Sequence, residues 1–220
     1  MIENSSPETP HVLILLYGPG SGMGKSTLAR AVAEHLLLRS IRTRFVEEHE
    51  VLEIPEFQDY VRQVEQGNGD DSDTLANCCA AYIRCLETRL PEIAVMDSLF
   101  PCWDWLLSAD CSTKKVLRFT DFLSLQLKKL NPILIIVEGD NELALSRAIA
   151  TRGKAWALDL AEKRTGVRQV SALVNYQLRL REAMETCLGS WPHKVIRINT
   201  TNQDSEQSLL KAIEAICFRK

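Results

Sequence analysis

Glycine, lysine and hydroxyl residues fall together in Gly18-Pro19-Gly20-Ser21-Gly22-Met23-Gly24-Lys25-Ser26-Thr27, and this spacing suits a triphosphate. Glycines let successive backbone N–H groups turn inward on phosphate oxygens. A helix beginning near Lys25 would aim the positive end of its dipole at the same point. Lys25 is placed to reach the β- and γ-phosphates, and the Ser26 hydroxyl to hold Mg²⁺. Each charge-assisted hydrogen bond in such a cradle is worth roughly 1.5–3 kcal/mol. The usual pattern has glycine five residues before Gly24, where this chain has Pro19. Gly18 stands one position earlier, which predicts a loop longer by one residue, with Gly20 and Gly22 supplying the bending.

Carboxylates at strand ends are the next candidates. Ile93-Ala94-Val95-Met96-Asp97 closes an apolar run with Asp97, a candidate Mg²⁺ partner acting through water. Glu138-Gly139-Asp140 follows a second run of the same kind and competes for that role, although Asp140 also suits a helix cap. In Glu47-Glu48-His49-Glu50, Glu48 is the candidate general base, with Glu47 next: a carboxylate that takes the proton of an acceptor hydroxyl as a phosphoryl group moves. The alternative for this run is a solvated acidic loop.

Arg147 and Arg152 lie on a helical pattern running into Gly153, so their guanidiniums could close over the transferring phosphoryl while Gly153 hinges a lid. Arg164 and Arg168 follow in the same lid region, about 147–168, and surface pairing with Glu142 or Glu162 is the competing reading for these arginines. Trp103 and Trp105 could wall an acceptor pocket or simply fill the core. Tyr176, Arg179 and Arg181 could also face that pocket.

These groups need a scaffold that brings them to one edge. Five short apolar runs read as strands: Val12–Tyr17, Thr43–Glu47, Ile93–Asp97, Ile133–Glu138 and Lys194–Asn199. Helical periodicity occupies Ser26–Leu38, Thr74–Leu90, Thr113–Leu130, Glu142–Ala150, Val167–Leu188 and Ser205–Phe218, with Asp73 and Asp204 at or near helix starts and Pro91 and Pro132 stopping helices. Alternating apolar strands and helices predict an α/β class in three layers with a parallel sheet. With 220 residues and no repeat or composition break, residues 1–220 are expected to form a single domain.

A net charge of -3 with basic residues scattered along the chain argues against a nucleic-acid partner. Apolar runs are too short for a membrane span, no signal peptide opens the chain, and seven cysteines lack a metal-ligand spacing, so a cytoplasmic protein with reduced thiols is expected. There is no Asn-Lys pair, which guanine-reading switches need, and no Asp-Glu pair, which ring-forming ATPases usually carry.

The loop, Asp97 and the lid together resemble the nucleoside and nucleotide kinase superfamily of P-loop phosphotransferases, including thymidylate kinase, deoxynucleoside kinases and chloramphenicol phosphotransferase. Gly22-Met23-Gly24-Lys25-Ser26-Thr27 is especially similar to the loop of viral thymidine kinases. The resemblance implies a P-loop NTPase fold with a five-stranded parallel sheet in the order 2-3-1-4-5, ATP with Mg²⁺ as donor, and an arginine-rich lid entered through Leu143–Arg147 and Arg152-Gly153. It places Glu48 at the catalytic carboxylate and Asn199-Thr200-Thr201-Asn202, with Asn199 and Thr201 as contacts, at the loop that packs against adenine. Relatives that act on nucleosides usually have arginine after the strand-end acid, where this chain has Ser98. A small hydroxylated metabolite therefore stands beside a nucleoside or nucleotide as acceptor. The expected enzyme is an ATP-dependent small-molecule kinase, monomeric or homodimeric; a regulatory or hydrolytic module without an acceptor is the alternative.

Overall fold

The computed structural model describes residues 11–89, 92–202 and 204–216. Its centre is a five-stranded sheet of β1 (Val12–Tyr17), β2 (Thr43–Val46), β3 (Ile93–Asp97), β4 (Pro132–Glu138) and β5 (Lys194–Asn199). All neighbouring strands pair in parallel, in the order β2-β3-β1-β4-β5, the order that the resemblance implied. The three inner strands are buried on both faces and read as unbroken apolar runs, as a covered parallel sheet demands. The two edge strands alternate instead: in β5 only Ile196 and Ile198 are buried.

Period-two alternation divides β1 between two cores. Leu13, Leu15 and Tyr17 face a cluster that includes Phe57, Tyr82, Trp103, Phe119 and Leu123, whereas Val12, Ile14 and Leu16 face Leu28, Val32, Leu36 and Ala212. The first face is covered by α2 (Gln58–Glu65), α3 (Ser72–Arg89), α4 (Trp103–Ser108), α5 (Thr113–Leu127) and α8 (Val170–Leu188). The second carries α1 (Lys25–Leu38), part of α6 (Asn141–Arg152) and α9 (Ser205–Ile216). Helix α7 (Lys154–Thr165) packs Ala161 on Leu145 of α6 and Leu173 of α8.

Several expected boundaries change. Pro132 opens β4 rather than preceding it, and the helix before it tightens into a 3₁₀ turn at Lys128–Leu130 that ends on left-handed Asn131. Helices α2, α4 and α7 were not expected; the first two are 8 and 6 residues long, too short for a clear 3.6-residue repeat. Asp71, not Asp73, caps α3 by accepting from the backbone N–H groups of Asp73 and Thr74, while Asp140 and Asp204 cap α6 and α9. The expectations for Pro91, Cys217 and the end of the last helix at Phe218 lie outside the described residues.

Candidate active site

In a parallel α/β sheet the crevice lies beyond the carboxyl ends of the strands, and the glycine loop, Glu48 and Ser98 come from the connections there. Seven residues, 18 to 24, connect β1 to α1, as the lengthened pattern predicts. Gly22 has φ +81°, and a Cβ there would stand 1.9 Å from the Ala144 carbonyl oxygen of α6, so only glycine fits. Gly24 has φ +86° with no atom within 4 Å of where a Cβ would point, which leaves its backbone open to the crevice. Helix α1 has no side-chain cap and no acid in its first turn, in contrast to the Asp-capped starts of α3, α6 and α9. Its first-turn N–H groups and positive dipole end are presented to the crevice.

Two cavities open here. The larger, about 430 Å³, is lined by Ser21, Gly22, Met23, Gly24, Lys25, Ser26 and Thr27, with Glu48, Arg147, Arg152 and Thr200 closing its sides. The smaller, about 130 Å³, is lined by Gly18, Pro19, Gly20, Ser21, Ser98, Asp104, Arg164, Tyr176 and Gln177. Ser21, Lys25 and Glu48 belong to both walls. Lys25 is thus at the junction, its Nζ donating to the Gly20 carbonyl at 2.7 Å. That neutral acceptor is weaker than a phosphate oxygen would be, so an entering polyanion has a stronger hold on the ammonium.

The acidic run after β2 separates cleanly. Glu47 is tied on the surface to Arg30 at 2.6 Å and to His49 at 3.2 Å, and Glu50 accepts from the Glu47 backbone N–H. Only Glu48 of the four reaches the cavities. It is exposed to their water but crowded by protein, and this desolvation, followed by repulsion from Asp104 and Asp97, raises its pKa against the opposing pull of Lys25 and Arg152.

The two strand-end candidates also part. Glu138 is held by Arg197 at 3.1 Å, which in turn grips Glu185 through both nitrogens, and Asp140 is a helix cap. Asp97 is buried at the end of β3, lines neither cavity wall, and accepts the Ser98 hydroxyl at 3.1 Å. Around the larger cavity, Thr200 is the wall residue, whereas Asn199 and Thr201 work within their own loop: Asn199 Oδ1 accepts the Thr201 N–H, and Thr201 Oγ1 accepts the Asp140 N–H. The Thr200 hydroxyl donates to the Met23 carbonyl at 3.0 Å and so fastens the glycine loop.

The arginines differ among themselves. Arg147 spans the carbonyls of Thr200 and Thr201 at 3.2 and 3.4 Å, and Arg152 lies 4.9 Å from the Trp156 ring centre, both on the cavity rim. Arg168 is bound to Asp159 and Glu162 on the surface, so the pairing alternative holds for it. Arg181 donates to the Gly139 carbonyl. Trp103 is core, edge-on to Tyr17 and Trp191, and Trp105 stacks on Tyr60; neither lines a cavity. Sequence reasoning passed over Asp104 and Gln177, which do. An acid between two tryptophans in an apolar run was the available signal for Asp104.

No protein-family model and no curated protein matches the chain. Among solved structures, the chain is similar to a deoxyadenosine kinase from M. mycoides with bound dCTP. The two are 19% identical, the match covers 92% of this chain and 97% of that one, and the TM-score is 0.48. No helix among the described residues is long and apolar enough to cross a membrane.

Proposed function

We propose that the chain is an ATP-dependent phosphotransferase that moves the γ-phosphoryl group to a hydroxyl of a small molecule. The observation that carries this reading is the pair of cavities sharing Ser21, Lys25 and Glu48. A regulatory or hydrolytic module has no use for a second chamber that meets the phosphate cradle at a carboxylate. The donor occupies the larger cavity, its phosphates on the amides of residues 21–27 and on Lys25, with Arg147 and Arg152 on the rim. Residues 147–168 act as the lid over a single domain.

Ser26, exposed in the first turn of α1 and lining the larger cavity, would hold Mg²⁺, and Asp97, buried at the end of β3 and outside both cavity walls, would act on the ion only through water. That ion takes one or two protein groups and completes its octahedron with water and substrate phosphates; among the described residues no cluster of three or more acidic, histidine or cysteine ligands offers a self-contained metal site. When bound, it would neutralise charge on the triphosphate.

The acceptor hydroxyl oxygen attacks the γ-phosphorus, the bond from that phosphorus to the β,γ-bridging oxygen breaks, and the hydroxyl proton passes to the Glu48 carboxylate. ADP and a phosphomonoester leave, and Glu48 returns its proton to water. Lys25 follows the charge that develops between the cavities, and the lid excludes competing water. The test is ADP release from ATP and Mg²⁺ measured with and without a panel of nucleosides, nucleotides, sugars and other alcohols. Acceptor-dependent release with the phosphate recovered on the acceptor is expected. Folded protein that binds ATP but hydrolyses it at a rate indifferent to every alcohol overturns the proposal.

A further inference from the structure

Two residues on the wall of the smaller cavity carry side-chain oxygens for which the steps above have no use. Asp104 Oδ1 and Gln177 Oε1 are sealed from solvent and have no hydrogen-bond partner among the described residues. Both accept hydrogen bonds, and a buried acceptor left unpaired costs of order 1–3 kcal/mol, more when charged. Gln177 is 2% exposed and is pressed against the phosphate loop: a Cβ on Gly20 would stand 2.7 Å from its amide carbon. The wall is completed by Leu160, Leu173 and Leu180, with Tyr176 and Arg164 on one side. Burial raises the Asp104 pKa, against the pull of Lys25 and Arg164 and of the backbone N–H groups of Asp104 and Trp105 on the carboxylate.

Size narrows the ligand further. The cavity measures about 130 Å³, below the roughly 150 Å³ of a cavity that takes benzene. A compact ligand fills it, whereas a nucleoside, with both a base and a sugar, would have to extend beyond it into the open crevice.

We propose, resting on the kinase reading above, that the acceptor is a compact alcohol bearing at least one further hydrogen-bond donor, which meets Asp104 Oδ1 and Gln177 Oε1. The class is a short polyol or amino alcohol of roughly four to eight non-hydrogen atoms. Its phosphorylated hydroxyl lies toward Lys25 and Glu48, and its remaining hydroxyl or ammonium lies at the α4 and α8 wall. The transfer is the one written above: oxygen to γ-phosphorus, proton to Glu48, ADP released.

Binding and turnover are measured separately. Saturation-transfer NMR on the chain with Mg²⁺ and a non-hydrolysable ATP analogue uses two probe sets. One holds glycerol, erythritol, 2-aminoethanol and 3-amino-1,2-propanediol; the other holds adenosine, deoxyadenosine, cytidine and deoxycytidine. Phosphomonoester formation from ATP is followed for the same compounds. A member of the first set is expected to bind and become phosphorylated, and Asp104→Asn to weaken that binding about tenfold or more, with the affinity for the analogue unchanged. Asp104→Asn should cost an amino alcohol more than a polyol, which identifies the donor. Gln177→Met gives a second variant with the same expected direction. Small probes that bind in an Asp104-dependent way without being phosphorylated leave the binding assignment standing and remove the kinase reading. Phosphorylation confined to nucleosides keeps the kinase reading and overturns the compact acceptor. Absence of binding by the first set, or binding indifferent to both substitutions, also overturns it.

Discussion

The two halves of the crevice are built from different material. The larger cavity is built around one consecutive stretch, residues 21 to 28 of the glycine loop and the uncapped start of α1, with Arg147 and Arg152 at its rim. The smaller cavity shares that loop but is completed from separate elements: Glu48 from the turn after β2, Asp104 from α4, Arg164 from α7, and Tyr176 and Gln177 from α8. In the proposed reaction the consecutive loop would recognise what all nucleotides share, and the scattered residues what one acceptor has and another lacks. A fold can keep the first half while exchanging the second residue by residue.

The sharpest division between the halves comes from their shared carboxylate. Glu48→Gln should lower kcat by about 10²–10⁴, the range of a general base, and leave ATP affinity within about twofold, measured by turnover beside direct nucleotide binding. Equal turnover would remove Glu48 from the proton step. Gly22→Val attacks the donor half alone. With φ +81° and a Cβ 1.9 Å from the Ala144 oxygen, it should cost about 3 kcal/mol or more, lower Tm by roughly 6–12 °C and abolish nucleotide binding. Unchanged thermal unfolding would contradict the packing of the loop on α6.

Lys25→Ala comes next, with ATP affinity falling about 10- to 150-fold, the equivalent of 1.5–3 kcal/mol, and a smaller loss in binding of an acceptor probe, because Lys25 lines both cavities; calorimetry on both ligands compares the halves. A subtler probe is pH. Because desolvation and then Asp104 raise the Glu48 pKa, the acid limb of kcat/KM should lie above the ordinary glutamate range, activity increasing as pH rises through it. Asp104→Asn should move that limb to lower pH, and a stationary limb would disconnect the two carboxylates. The smallest effect is expected outside both halves: Arg168→Ala removes exposed pairs with Asp159 and Glu162 and should change stability by less than about 1 kcal/mol, with turnover unaltered.

The same contrast explains what could be read from the chain. The loop half was legible because its pattern depends on consecutive residues: Gly18 to Thr27 mark the turn and helix start after an apolar strand in one stretch, and β1 and β3 followed from unbroken apolar runs, whereas the strand order came only from the family resemblance. Asp104 and Gln177 were not legible, since nothing local relates position 104 to 177; only the packing of α4 and α8 on one sheet face brings them together. Glu47 and Glu48 are equivalent in composition, and a 3₁₀ turn beginning at Glu48 sends one to Arg30 and the other to the crevice. Thr200 was hidden for a related reason. Its neighbours Asn199 and Thr201 have the same hydrogen-bonding capacity, and the register of β5 against β4 decides which of the three faces the cavity.

That threonine ties distant events together. Its hydroxyl lies within bonding distance of the carbonyls of both Met23 and Glu138, at 3.0 and 3.2 Å, while its own carbonyl takes a nitrogen of Arg147. The rim of the lid, the end of β4 and the anion cradle therefore meet at one small side chain. If residues 147–168 form the proposed lid, a tug on its helix would be delivered through two hydrogen bonds to the glycine loop, so that opening the crevice and loosening its hold on nucleotide would become a single motion.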